Sequence, residues 1–271
     1  MNQENVMLAF ALTLFAGLAT GIGSALAFFA KRTNKRFLSA ALGFSAGVMI
    51  YVSFVEILKK AKEALIIELG LKNGEWATAI SFFAGMALIA MIDKFVPAHE
   101  NPHEVHQIEE LDKNLEDVEK DGKLLRMGIL SALAIGIHNF PEGLATFVAT
   151  LKDPSIGMPI AVAIAIHNIP EGIAVSIPIY YATGSRSKAF FYSFFSGLSE
   201  PIGALVGYFF LMHYFTNTVF GVLFASVAGI MVFISLDELL PCAEEYGEHH
   251  IAIYGLISGM VIMALSLLLF L

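Results

Sequence analysis

The sequence predicts an all-α, polytopic membrane protein with eight transmembrane helices. Of its 271 residues, 57% are hydrophobic and only 15% are charged, whereas a soluble domain carries about 25% charged residues. A bilayer-spanning helix needs about 20 mostly apolar residues. The chain contains eight such runs, numbered here as spans 1 to 8: residues 6–30, 37–58, 76–96, 126–151, 157–182, 187–213, 217–240 and 251–271.

This composition excludes several classes of protein. The apolar runs occupy most of the chain, which excludes a soluble enzyme. A net charge of −8 without a basic stripe excludes a nucleic-acid binder. Cys242 is the only cysteine, so the chain is not a disulfide-stapled secreted domain. We therefore expect residues 1–271 to form a single transmembrane domain.

Spans 1 to 3 form the first group of helices. Span 1 resembles a secretory signal in length, but Glu4 precedes it, no Lys or Arg does, and seven further spans follow. We therefore interpret span 1 as a transmembrane helix. Glu56 lies near the end of span 2, and span 3 ends at Asp93 and Lys94, which we expect to pair at the membrane interface.

The segment between spans 3 and 4, residues 97–125, is the only long hydrophilic one. It holds nine acidic residues, three lysines and three histidines, which are His99, His103 and His106. Because no apolar periodicity runs through it, we expect a solvated, partly disordered cytoplasmic loop. Carboxylates and imidazoles bind borderline divalent cations, so a weak metal-collecting role is compatible with this interpretation.

Basic residues orient the spans. With the N-terminus outside, 11 of the 16 Lys and Arg residues fall on the inner side. The other five fall on the outer side: Lys59, Lys60, Lys62, Lys72 and Lys152. We therefore expect both termini to be extracytoplasmic.

Spans 4 and 5 carry the same hexapeptide with one apolar substitution. His-Asn-Phe-Pro-Glu-Gly occupies residues 138–143, and His-Asn-Ile-Pro-Glu-Gly follows 29 residues later at 167–172. Adjacent spans cross the membrane in opposite directions, so the two copies are inverted. Each copy places a proline inside a transmembrane helix.

A fainter repeat relates spans 1 to 3 to spans 6 to 8, which are also inverted. Small-residue packing explains the matched glycines, but it does not explain the matching Glu56 and Glu238. Inverted repeats around proline-interrupted helices indicate a secondary transporter with a substrate site near the midplane. The matches are 17–23 with 197–203, 46–49 with 228–231, Ser53 with Ser235, Glu56 with Glu238 and, more weakly, 85–86 with 259–260.

Few ionisable residues lie within the spans. A charged side chain at a helix centre costs roughly 2.5 to 3.5 kcal/mol on insertion, and no intramembrane Lys or Arg compensates for these charges. A bound divalent cation would supply the missing positive charge. The residues are Glu56, Asp93, His138, Glu142, His167, Glu171, Glu200, His213, Asp237 and Glu238.

Helical spacing brings the candidate metal ligands together. His138 and Glu142 are four residues apart and share a helix face. Pro141 and Pro170 each free a backbone carbonyl, which is tolerated at membrane depth where it lines a hydrated cavity. Nitrogen and oxygen donors without thiolate suit Zn²⁺, Fe²⁺, Mn²⁺ or Co²⁺ and argue against Cu⁺. The predicted metal site consists of His138, Asn139, Glu142, His167, Asn168, Glu171 and Glu200.

The paired hexapeptides, Glu200 in span 6 and the His-containing segment before span 4 resemble the ZIP (Zrt-, Irt-like) family of divalent metal transporters. Within that family, the pattern is most similar to the bacterial ZupT branch. The resemblance implies a bundle of three, two and three helices and metal uptake toward the cytoplasm through the bacterial inner membrane. It also implies a homodimer without a catalytic cofactor, transporting Zn²⁺ and, as further candidates, Fe²⁺, Mn²⁺, Co²⁺ and Cd²⁺.

The same resemblance implies a binuclear centre between spans 4, 5 and 6. One ion would be held by His138, Glu142, His167 and Glu171. Asn139 and Asn168 would hold the other ion, with Glu142, Glu171 and Glu200 bridging or shared. Some family members have another pair of residues in place of His167 and Asn168, and many lack a carboxylate at Glu200. The number of bound ions and the preferred metal therefore stay open.

Acidic residues outside this centre suggest a path through the membrane. We expect Glu56 to belong to an outer vestibule. Asp237 and Glu238 would belong to an inner exit, and Glu244, Glu245, Glu248, His249 and His250 would continue it. The alternative is that acids near helix ends simply reach the interface. His213, beside Tyr214, is typical of an interfacial anchor.

An intramembrane hydrolase that activates water at a two-metal centre is the alternative function. Such an enzyme needs a free general base near the metal, and every obvious base here is already a predicted ligand. No H-E-x-x-H motif is present. A metal-sensing receptor lacks an output domain. The sequence therefore favours transport.

Overall fold

The computed structural model describes residues 3–27, 35–95, 117–211, 216–246 and 249–269. All regular structure in these ranges is helical. Short π-helical segments follow α2, α7 and α8 at Ser53–Ile57, Gly207–Leu211 and Ser235–Leu239. The α-helices are α1 (Gln3–Ala27), α2 (Lys35–Val52), α3 (Leu58–Phe95), α4 (Asp117–Lys152), α5 (Pro154–Thr183), α6 (Arg186–Gly197), α7 (Ser199–Val206), α8 (Asn217–Ile234), α9 (Leu240–Tyr246) and α10 (His249–Leu269).

The all-α prediction is confirmed for this part of the chain, which contains no strand. Many large apolar side chains, such as Phe83, Phe209 and Leu269, are exposed on the outside of the bundle. An apolar exterior is what a bundle surrounded by lipid requires. Within the described residues, five segments are long and apolar enough to cross a membrane: Glu4–Ala25, Ser39–Ile92, Pro154–Ile173, Asn217–Asp237 and His249–Leu269.

The long segment Ser39–Ile92 reverses direction at Gly70. This residue has φ 76° and ψ 166°, a backbone conformation that favours glycine. Lys62 Nζ lies 2.6 Å from Glu75 Oε1 across the bend, whereas a straight helix would separate the two residues by about 20 Å. Spans 2 and 3 therefore lie on opposite arms of a helical hairpin.

Two helix boundaries differ from the predicted spans. Helix α4 begins at Asp117, so the last nine residues of the segment 97–125 are helical. Acidic residues at 117 and 119 favour this helix start because they complement the helix dipole. Residues 96–116, with His99, His103 and His106, lie outside the described residues. Span 6 is divided between α6 and α7 because Pro201 lacks the N–H that would bond the Gly197 carbonyl.

Glycine contacts follow the inverted repeat. A Cβ on Gly47 of α2 would overlap the Leu256 carbonyl of α10, and a Cβ on Gly229 of α8 would overlap the Phe82 carbonyl of α3. Gly229 is the repeat counterpart of Gly47, and Leu256 is that of Phe82. The reciprocal contacts, Gly85 with Ser226 and Gly259 with Phe44, are related in the same way. These matched contacts support an internal two-fold relation between two helix pairs, one formed by α2 and α10 and the other by α8 and α3.

Replacing Gly47 with alanine is expected to lower the thermal stability of the purified protein in detergent, because the new Cβ overlaps the Leu256 carbonyl oxygen. At an unobstructed helix position the same change raises stability by roughly 1 kcal/mol. Gly136→Ala is the matched control, since the nearest atom to its Cβ is 3.8 Å away. Equal midpoints of thermal unfolding for the two variants would contradict the close packing of α2 on α10.

Candidate metal site

The predicted ligands lie on α4, α5 and α7, and these helices pack around a common centre together with α1 and α6. Six of the seven predicted side chains are almost completely buried, with at most 1% exposed: Asn139, Glu142, His167, Asn168, Glu171 and Glu200. The backbone of His138 lies one helical turn before Glu142 in α4. The side chain of His138 lies outside the described part.

Glu142 and His167 connect the two hexapeptides. His167 Nε2 of α5 lies 3.2 Å from Glu142 Oε2 of α4. Pro141 and Pro170 lie inside their helices without ending them. The inverted copies therefore meet face to face, and the carboxylate of one copy contacts the imidazole of the other.

Asn168 and Glu200 form a second contact, between α5 and α7. The Asn168 amide donates hydrogen bonds to the Glu200 carboxylate and, at 2.9 Å, to the Ala16 carbonyl of α1. Asn139 occupies the equivalent position in α4, and its amide donates to the Ser196 carbonyl at 3.5 Å. Both asparagine nitrogens are therefore directed at the backbone of a neighbouring helix.

This arrangement leaves buried oxygens without donors. Asn139 Oδ1, Asn168 Oδ1 and Glu200 Oε2 have no hydrogen-bond partner among the described residues. A buried acceptor without a partner costs about 1 to 3 kcal/mol. The three oxygens belong to two amides and one carboxylate, which are donor types that bind divalent cations. The chemistry of these oxygens therefore fits a cation.

The last glycine of each hexapeptide allows a neighbouring helix to approach. A Cβ on Gly143 would overlap the Glu200 backbone of α7, and a Cβ on Gly172 would overlap the Thr20 carbonyl of α1. Helix α1 is not among the elements that the sequence predicts for the site, although residues 17–23 match residues 197–203. That match was the signal that helix α1 lies beside α5 as α7 lies beside α4.

The described side chains do not form a complete coordination shell. No group of three or more His, Cys, Asp or Glu side chains is close enough to hold one metal ion in the described part of the chain. Glu142 and His167 form a buried pair, and the side chain of the predicted third member, His138, lies outside the described part of the chain.

The described path residues lie on helical segments other than α4, α5 and α7. Half-buried Glu56 lies in the π-helical segment Ser53–Ile57, and exposed Asp237 lies in Ser235–Leu239. These segments occupy equivalent positions of the inverted repeat, and π-helical turns occur frequently at functional sites. His249 Nδ1 lies 2.7 Å from Glu244 Oε1 at the surface, and His250 is exposed. The side chains that lie outside the described part are those of Asp93, His213, Glu238, Glu245 and Glu248.

Comparison with known proteins shows the family. The family described as "ZIP Zinc transporter" matches residues 94–267. The protein named "Zinc transporter ZupT" of Clostridium perfringens is 63% identical over 99% of this chain and 98% of its own length. The proteins of that name from Nitratidesulfovibrio vulgaris and Streptococcus mutans are 67% and 63% identical, over 100% and 99% of each chain.

These relatives are named zinc transporters, and this chain matches them over nearly their full length. The match decides against the hydrolase alternative. The chain is an integral membrane protein that transports divalent metal ions, and it is not an enzyme. It belongs to the ZIP family of zinc transporters.

Proposed function

We propose that the protein takes up Zn²⁺ toward the cytoplasm of a bacterium, through a two-ion site between α4, α5 and α7 in the inner membrane. The observation that carries this proposal is the buried set of three carboxylates, one imidazole and two amides. The Glu142–His167 and Glu200–Asn168 contacts connect the three helices that contribute them. The names of the relatives support Zn²⁺ as the cargo.

Charge is the first argument for two ions. Glu142, Glu171 and Glu200 are all almost completely buried, and α4 packs against both α5 and α7, which carry the other two. Spans 4, 5 and 6 contain no Lys or Arg except Arg126 and Lys188 near their starts. Burying carboxylates without compensation is costly, and two divalent cations would balance three carboxylates closely.

The distribution of donors is the second argument for two ions. In the proposed site, one ion is held by His138, Glu142, His167 and Glu171. The second ion is held by Asn139 and Asn168, with the carboxylates of Glu142, Glu171 and Glu200 shared between the ions. The acceptor oxygens of both asparagines support the second position because they are buried without a donor among the described residues.

The donor set also bears on which metals are transported. Imidazole and carboxylate bind Zn²⁺ well and also accept Fe²⁺, Mn²⁺, Co²⁺ and Cd²⁺. We expect transport of Zn²⁺ with limited discrimination among these ions. No catalytic cofactor is part of the proposal.

Topology completes the proposal. Eight spans in groups of three, two and three, with both termini outside, place the hexapeptides in the central pair. The reversal at Gly70 and the matched glycine contacts of α2 and α8 support this arrangement. The apolar exterior suits contact with lipid. A homodimer stays a prediction.

Zn²⁺ influx is expected in liposomes that contain the purified protein and a zinc-sensitive dye. Glu142→Ala and Glu171→Ala should each reduce influx to the level of protein-free liposomes, because each removes a shared carboxylate. Glu75→Gln is the control, since Glu75 is half-exposed and pairs with Lys62 far along the chain from the hexapeptides. Influx that persists in both alanine variants would contradict the proposed site.

The predicted exit has its own test. Glu238→Ala should lower the rate of Zn²⁺ influx about tenfold, the lower end of what a charged cleft contributes to cation capture. Folding should be unchanged, as measured by the thermal midpoint. Influx at the wild-type rate in this variant, together with its loss in Glu142→Ala, would show that Glu238 only reaches the interface.

A further inference from the structure

We propose that Thr20 of α1 is a further residue of the metal site, and that its hydroxyl oxygen contacts the second ion on its Asn139 side. This inference rests on the proposed two-ion site. It arises from the two-fold relation between the halves of the core, in which Thr20 is the counterpart of Glu200.

Three pairs of contacts define that relation. Residues of α1 correspond to residues 180 positions later in α6 and α7, and residues of α4 correspond to residues 29 positions later in α5. Three contacts of one half each have a counterpart in the other. The pairs are Gly23 on Ile169 with Gly203 on Phe140, Gly172 on Thr20 with Gly143 on Glu200, and Asn168 to Ala16 with Asn139 to Ser196.

Glu200 shows the role of this equivalent position in the half of the core that contains Asn168. Its carboxylate accepts a hydrogen bond from Asn168, and its second oxygen has no partner among the described residues. Under the two-fold relation, the side chain of Thr20 occupies the same position beside Asn139. Thr20 is completely buried, as Glu200 is.

The conformation of Thr20 agrees with this placement. The buried helical threonines Thr13 and Thr150 donate to the carbonyl four residues earlier, each at 2.8 Å, whereas the hydroxyl of Thr146 has no hydrogen-bond partner among the described residues. The corresponding carbonyl for Thr20 is that of Ala16, which already accepts from Asn168. The Thr20 hydroxyl has no hydrogen-bond partner among the described residues.

The neighbour of that hydroxyl is the backbone that holds Asn139. A Cβ on Gly197 would lie 2.8 Å from Thr20 Oγ1. Gly197 follows Ser196, whose carbonyl accepts the Asn139 amide. The hydroxyl oxygen therefore lies on the Asn139 side of the core, where a neutral oxygen ligand would complete the second half of the site.

This assignment makes the two halves of the site unequal in charge. The half with Asn168 has the Glu200 carboxylate, and the half with Asn139 has only the Thr20 hydroxyl. A carboxylate attracts a divalent cation more strongly than a hydroxyl does. The second ion, which both asparagines hold in the proposed site, is therefore bound less strongly on its Asn139 side than on its Asn168 side.

The test compares Zn²⁺ affinity and influx among variants of the full-length protein. Thr20→Val removes the hydroxyl at nearly constant shape and should weaken Zn²⁺ binding about tenfold, the lower end of the effect of losing a group around a metal. Thr20→Ser keeps the hydroxyl and should bind like the wild type. Thr13→Val is the matched control on the same helix, because that hydroxyl is satisfied by Ala9.

A second measurement covers the case in which Thr20→Val folds poorly. Thr20→Asp places a carboxylate opposite Glu200, and Zn²⁺ should raise its thermal midpoint more than it raises that of the wild type. Thr20→Val binding like Thr13→Val, or Thr20→Asp gaining nothing from Zn²⁺, would overturn the role of Thr20 alone. A wild type that neither binds nor transports Zn²⁺ would instead overturn the proposed function.

Discussion

The constraint on which the structure depends is the burial of three carboxylates at the centre of an apolar helical bundle. Glu142, Glu171 and Glu200 are at most 1% exposed, in a region whose helices contribute basic residues only near their ends. The low dielectric of the interior makes each charge expensive. The surrounding helices must therefore present groups that make binding a cation more favourable than leaving the carboxylates alone.

The hexapeptide is suited to binding a cation because each residue that is identical in its two copies has a separate physical role. The histidine and glutamate share a helix face, and the glutamate of α4 meets the histidine of α5. The asparagine uses its nitrogen to contact a neighbouring backbone, so its oxygen remains an acceptor. The proline frees a carbonyl, and the glycine admits the next helix. Two inverted copies place these groups on both sides of one centre.

Much of this could be predicted from the sequence because the determinants are local. The apolar runs predicted helices, and the hexapeptides with Glu200 predicted which side chains would be buried together. The reversal at Gly70 was not predicted as a single tight bend, because its glycine conformation depends on the packing of the two arms. The helical start at Asp117 was missed because polar residues without apolar periodicity gave no helix signal.

The contribution of α1 could not be predicted in the same way. Its residues near the centre, Ala16 and Thr20, carry no charge, and Ala16 contributes only its backbone carbonyl. Such contacts depend on which helices become neighbours, and a single helix sequence does not specify its neighbours. The faint match with residues 197–203 contained that information, but only the structure shows that matched residues make matched contacts.

The two-fold relation is close in the backbone and broken in the hydrogen bonds between helices. Ser24 and Ser193 join α1 to α6 at 2.6 Å, and Ser193 also donates to the Gly172 carbonyl of α5 at 3.1 Å. The counterparts of these serines are Ala204, which has no hydroxyl, and Thr13, whose hydroxyl bonds its own helix. The hydrogen bonds among α1, α6 and α5 are therefore present in one half of the core only.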